Sequence, residues 1–164
     1  MVTFYFDTSA IVKRYRKEQG SELLDKMFNL KEKRFATSLW TVLEFVSAFS
    51  RLAKGGLISN NAFKKVVSRF LKDVRDIFMV MSVNDELVAL ATSLAAKHSL
   101  ASADSLHLAT LLTLRDMLGP GERVVFVCSD AKLLKAAMAE GTECINPEEE
   151  NSIQKLEETL SKEG

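Results

Sequence analysis

The chain is poor in the residues that would place it in several large classes. It has two cysteines in 164 residues, Cys128 and Cys144, with neither CxxC spacing nor a zinc pattern. We expect two buried small hydrophobes; a disulfide would require their strands to be neighbours of suitable geometry. There are only two histidines, His98 and His107. No apolar run reaches the roughly 18 residues of a membrane span. The N-terminus enters a strand without a basic-then-apolar leader, so the expected location is the cytoplasm. There is no GxGxxG, no Walker A loop and no GxSxG elbow, which removes dinucleotide, P-loop and serine-hydrolase readings. Net charge is also lacking, at zero, and at first this argues against a polyanionic partner.

The distribution of that charge is uneven. Residues 1–80 hold 15 Lys and Arg against 8 Asp and Glu, and residues 81–164 hold 7 against 14. Such asymmetry points to a basic face, although ordinary solvated helices would give the same counts. The segment after Pro147 carries six Glu against Lys155 and Lys162. It reads as an acidic tail over 148–164, with a polar helix at Ser152–Leu160, and we expect it to be mobile, outside the fold and able to shield the basic half. The remainder is one domain without repeats or linkers, and 47% hydrophobic residues supply a core.

Strands alternate with helices. Val2–Phe6, Arg34–Thr37, Ile77–Val83, Arg123–Cys128 and Thr142–Ile145 read as strands. Helices are expected over Ser9–Tyr15, from an N-cap at Ser21 to Asn29, and over Ser38–Lys54, Ser59–Arg75, Asp85–His98, Ser102–Leu118 and Ala131–Glu140. Helix 59–75 is the clearest, with Phe63, Val66, Val67, Phe70, Leu71 and Val74 at helical spacing. The alternation implies an α/β fold: three layers, α/β/α, around a central, mostly parallel sheet of about five strands. Ligands of such sheets sit beyond the C-terminal strand ends, where strand order reverses.

Four acids interrupt apolar stretches: Asp7, Glu44, Asp104 and Asp130. Singly, each has a plain explanation. Asp7 and Asp130 can cap the helices that follow them, Asp104 suits the positive end of its helix, and Glu44 shares a polar stripe with Thr37, Thr41, Ser47 and Arg51 that could face water. Jointly they suggest a cluster. Converging carboxylates repel one another and take up protons unless a cation joins them. Oxygen ligands without a local Cys or His pair select hard ions, Mg²⁺ or Mn²⁺. Such ions can polarise a phosphodiester and activate water, so no protein nucleophile is needed. His107, one turn after Asp104, is a base, a supporting donor or simply structural.

The residues around these acids resemble the PIN domain family, and within it the VapC-type toxins of toxin–antitoxin pairs. The resemblance rests on Phe6-Asp7-Thr8-Ser9-Ala10-Ile11-Val12-Lys13-Arg14-Tyr15, on Leu43-Glu44-Phe45, on Ala103-Asp104-Ser105-Leu106-His107-Leu108-Ala109, and on Ser129-Asp130-Ala131 through Ala137, then Gly141 and Ile145-Asn146-Pro147. It covers about residues 2–147, so 1–147 is taken as the PIN-like domain. It implies a metal-dependent endoribonuclease with Asp7, Glu44, Asp104 and Asp130 as catalytic metal ligands, Mg²⁺ or Mn²⁺ as cofactor, RNA as substrate, a small antitoxin as partner and a homodimer. The family often carries Ser or Thr two residues before the last Asp. Cys128 stands there in this chain, and a thiol is a poor donor. Thr8, Ser9 or Ser129 would then support the cluster.

Lys13, Arg14, Arg16 and Lys17 follow Asp7 closely enough to meet RNA phosphates, or they form a solvated helix face. Trp40, Phe45, Phe49, Phe63 and Phe70 read mostly as core, with some able to line a groove for a partner helix. Two other functions remain open on sequence: a catalytically silent RNA-binding or regulatory module of the same fold, and a phosphoacceptor receiver domain, which needs a late-strand lysine where Pro147 and Glu148 stand.

Overall fold

A computed structural model describes residues 1–162; the last two residues of the expected tail, 163–164, lie outside them. Five strands form one sheet: β1 Val2–Phe6, β2 Arg34–Ser38, β3 Phe78–Met81, β4 Arg123–Val127 and β5 Glu143–Ile145. All four pairings are parallel, in the order β3-β2-β1-β4-β5. The chain runs outward from β1 to β3, then crosses back to place β4 on the other side of β1. Strand order therefore reverses between β1 and β4, where Phe6 pairs with Val127. A receiver domain has the order 2-1-3-4-5, so this sheet excludes that alternative.

Among the described residues, eight α-helices flank the sheet: α1 Thr8–Ile11, α2 Ser21–Phe28, α3 Leu39–Lys54, α4 Asn60–Ile77, α5 Asp85–His98, α6 Ser102–Leu118, α7 Ala131–Ala139 and α8 Ser152–Ser161. Alternation along β1 sends its side chains to opposite faces. Phe4 and Phe6 join Phe35, Phe45, Phe70 and Phe78 in one core, while Tyr5 joins Phe126, Leu108 and Leu133 in the other. Two apolar layers on one sheet give the expected three-layer α/β/α architecture.

Several local expectations change. The helix expected over Ser9–Tyr15 is one α turn followed by a 3₁₀ turn, Val12–Arg14. Ser21 is the first residue of α2 rather than its cap; the cap is Gly20 at φ 89°, where a Cβ would lie 2.7 Å from Pro147 Cβ. Glycine is required there by both the left-handed backbone and the close approach. Ser21 Oγ instead donates to the Lys13 carbonyl at 2.7 Å. On α4, Phe70 is buried but Leu71 is 44% exposed, so the apolar stripe is narrower than its spacing suggests.

The acidic tail is the largest departure. It is not a mobile segment outside the fold. Its helix α8 buries Leu156 fully in the β1/β2 core, with Ile153 and Leu160 packed against that core. Thr159 Oγ1 donates to Glu143 Oε1 at 3.0 Å, and Glu148 pairs with Lys13 at 2.6 Å. Apolar residues spaced three and four apart supply the burial that the six glutamates hide in a composition count. Cys128 and Cys144 are both free.

Candidate metal centre and active site

The switch point between β1 and β4 holds two of the four acids. Asp7 follows β1, and its N–H donates to the Val127 carbonyl of β4 at 3.3 Å. It caps α1, with Oδ1 accepting from Ala10 N at 3.0 Å. Ser9 Oγ stands 2.8 Å from each of its carboxylate oxygens. Asp130 follows β4 and caps α7, with Oδ1 accepting from Leu133 N at 2.8 Å. Capping and site-building are compatible here, because a cap occupies one oxygen and leaves the other.

Glu44 and Asp104 come from helices packed in different cores, α3 in that of Phe4 and Phe6 and α6 in that of Tyr5. Glu44 lies on α3 and is half-buried. Thr8 Oγ1 donates to its Oε2, and His107 Nε2 lies 2.8 Å from that same oxygen. Burial pushes the Glu44 carboxyl up, but the hydrogen bonds from His107 and Thr8 outweigh it and hold it below its ordinary value. Its place on the polar stripe of α3 thus turns inward rather than to water.

Asp104, in the first turn of α6, has the opposite setting. Burial raises its pKa first, and the negative charges of Asp130, Asp7 and Glu44 raise it further, while His107 works the other way. Hydrogen bonds relieve Asp7 in part, but burial still leaves its carboxyl above the ordinary range. Asp104 thus feels the negative charge of the other three carboxylates. Among the described residues, no group of three or more acidic, histidine or cysteine side chains is arranged to hold a metal ion; the four carboxylates are oxygen donors, the chemistry that hard ions such as Mg²⁺ prefer.

The support around Asp7 is a small network. Ser9 Oγ accepts from the Ser129 N–H at 2.8 Å while donating to Asp7. Cys128 Sγ lies 3.3 Å from Asp7 Oδ2 and accepts from the Asp130 N–H at 3.2 Å. The thiol is buried and its pKa is pushed up by burial and by Asp7, so it acts as a neutral filler and weak donor.

The family model of the PIN domain matches residues 4–118. The chain belongs to the PIN domain family. No curated protein matches it as a sequence relative. Among solved structures it is similar to PAE2754 from Pyrobaculum aerophilum, at 19% identity and TM-score 0.63, covering 94% of this chain and 90% of that one. It is similar to VapC20 from Mycobacterium tuberculosis, a sarcin–ricin loop cleaving toxin, at 14% identity and TM-score 0.60, covering 81% and 94%. It is also similar to a chain of VapBC2 from Rickettsia felis, solved on a fragment of promoter DNA, at 12% identity and TM-score 0.62, covering 89% and 98%. These likenesses establish the PIN fold.

Within that PIN fold the remaining expected residues separate. Thr8 and Ser9 both contact carboxylates of the cluster. Ser129 contributes its backbone N–H, while its hydroxyl is buried without a partner. His107 is buried between Glu44 and Tyr5, whose hydroxyl lies 3.2 Å from Nδ1. Of the basic residues expected at RNA, Lys13 is only 5% exposed and is paired with Glu18 and Glu148. Arg14 pairs with Asp25 at 2.7 Å and lies over the Phe28 ring. Arg16 and Lys17 are exposed. Tyr15 donates to Asp73 at 2.7 Å and packs edge-on against Phe45 and Phe70, so it is a packing residue. Sequence reasoning passed over Tyr5, because its place in Phe-Tyr-Phe reads as apolar strand.

Proposed function

We propose that this PIN domain is a divalent-metal-dependent endoribonuclease, the VapC-type toxin of a toxin–antitoxin pair. The observation that carries the reading is the pair Asp7 and Asp130, which follow β1 and β4 at the reversal of strand order, with Asp104 sensing their charge and that of Glu44. Four acids held against their mutual repulsion are best explained by a cation that offsets them.

Asp7, Glu44, Asp104 and Asp130 would hold Mg²⁺ or Mn²⁺. A cation bound there supplies an activated water and offsets charge on the leaving oxygen of a phosphodiester. The chain's own part is positioning. Ser9 and the Ala10 N–H hold Asp7 in place, and Thr8 and His107 hold Glu44. Exposed Arg16 and Lys17 are the basic residues left available for phosphates of the RNA strand. Lys13 and Arg14 are committed to ion pairs and serve the fold.

The VapC20 and VapBC2 likenesses support RNA as substrate and a small antitoxin as partner; a homodimer is part of the same proposal. Such a partnership would be cytoplasmic; no helix among the described residues is long and apolar enough to cross a membrane. The test is RNA cleavage by purified protein with Mg²⁺, with chelator, and with Mn²⁺ restored. Cleavage that stops with chelator and returns with the ion is expected. Cleavage indifferent to chelator contradicts the mechanism, and RNA binding without turnover at any ion level favours the silent-module alternative.

A further inference from the structure

Tyr5, His107, Thr8 and Glu44 form one connected chain from the sheet core to the acidic cluster. Tyr5 is fully buried on β1, and its ring stacks on Phe126 at 5.8 Å. Its hydroxyl lies 3.2 Å from His107 Nδ1. His107 Nε2 lies 2.8 Å from Glu44 Oε2, and Thr8 Oγ1 donates to that oxygen as well. A carboxylate can only accept, and a phenol can donate. With a neutral imidazole, the arrangement that satisfies both contacts has Tyr5 donating to Nδ1 and His107 donating from Nε2 to Glu44.

We propose that Tyr5 is a positioning residue: it holds His107 in the Nε2–H tautomer, and His107 with Thr8 draws Oε2 of Glu44 inward, so that Oε1 is presented to the cation. This rests on the metal-dependent nuclease reading of the same site. Both donors converge on Oε2. The indole N–H of Trp40, one turn earlier on α3, leans toward the same carboxylate without completing a hydrogen bond. The logic is that of a metal ligand oriented by a second group, whose own orientation is set by the next partner.

Without the Tyr5 hydroxyl, Nδ1 loses the donor that stands 3.2 Å away, and the two imidazole tautomers come closer in energy. Loss of the Nε2–H frees Glu44 to rotate. Removing such an orienting partner typically costs 10–100-fold in metal affinity or activity, about as much as we expect for loss of the His107 contact. The Tyr5 effect, one step further away, should be about 3–10-fold, the size of one hydrogen bond.

The test uses the full chain and two independent readouts. With only two histidines, ¹⁵N spectra of wild type and of His98→Gln assign the His107 ring nitrogens. Wild type should show protonated Nε2 and bare Nδ1; Tyr5→Phe should show mixed tautomers. Mn²⁺ affinity, measured by titration calorimetry, should fall in Tyr5→Phe and fall further in His107→Leu. His107→Gln, which keeps a donor for Glu44, should recover part of the loss. A wild-type His107 protonated on Nδ1 alone, or a Tyr5→Phe protein with unchanged tautomer and unchanged Mn²⁺ affinity, overturns the proposal. Wild-type protein that binds no Mn²⁺ overturns the nuclease reading and with it the metal-presenting step. In that case the tautomer spectra still decide the role of Tyr5 at His107 separately.

Discussion

Ser9 Oγ lies 2.8 Å from both carboxylate oxygens of Asp7 and receives the Ser129 N–H at 2.8 Å. One hydroxyl thus ties the end of β1 to the loop after β4, across the reversal of strand order. It performs the support expected of a hydroxyl two residues before Asp130, where this chain has Cys128. Ser9→Ala should leave Asp7 underbonded and the Ser129 N–H without its partner. A hydrogen bond to a charged group is worth about 1.5–3 kcal/mol, so Mn²⁺ affinity should fall by at least ~10-fold. Calorimetry with wild type and variant checks this; equal affinities would remove Ser9 from the site.

Asp7 and Asp104 both have folded pKa values raised by burial, and Asp104 by its acidic neighbours too. The folded protein binds their protons more tightly than the unfolded chain does. Their contribution to stability is therefore fully present below the ordinary Asp value and is lost as pH rises through the raised folded values. Glu44 runs the other way, contributing above its ordinary value and losing that contribution as pH falls through its lowered one. In chelator, Asp7→Asn should melt about 2–4 °C above wild type at pH 7.5, with the gap closing toward pH 4. A wild type that melts higher than the variant at pH 7.5 in chelator would oppose this.

Cys128 Sγ is 3.3 Å from Asp7 Oδ2, at a position where a hydroxyl would donate better. Cys128→Ser should tighten Mn²⁺ binding about 2–5-fold, in line with one improved hydrogen bond. Both thiols should also alkylate slowly at pH 8, since burial pushes Cys128 up and raises Cys144 to about 12. Weaker metal binding in the serine variant would show that sulfur itself is preferred there.

The acidic tail should behave as part of the fold. Ending the chain at Pro147 removes α8 and leaves Lys13 without Glu148. Thermal stability should drop, with no gain in RNA binding at low salt. Leu156→Ala alone should cost about 2–5 kcal/mol in denaturant unfolding. A truncated chain as stable as the full one would return the tail to a solvated appendage.

The alternation of strands and helices was legible because buried parallel strands read as short apolar runs and the helices keep their spacing. The four acids were legible for the same reason: each breaks an apolar run at an element's end or on its inner face. What could not be read is pairing across long sequence separations. Lys13 meets Glu148, and Tyr5 meets His107, through contacts that no local pattern encodes. Lys13 looked like a surface cation among other cations, and Tyr5 looked like one more aromatic in a core strand. The tail misled because charge dominates its composition while Ile153, Leu156 and Leu160 carry its packing.

The most direct test of the acidic cluster is a Mn²⁺ soak of crystals with anomalous scattering, on wild type and on Asp104→Asn. The account predicts an anomalous peak among Asp7, Glu44, Asp104 and Asp130 in the wild type, weakened or lost in the variant. Ordered carboxylates with no peak between them at saturating Mn²⁺, or an equal peak in Asp104→Asn, would contradict it.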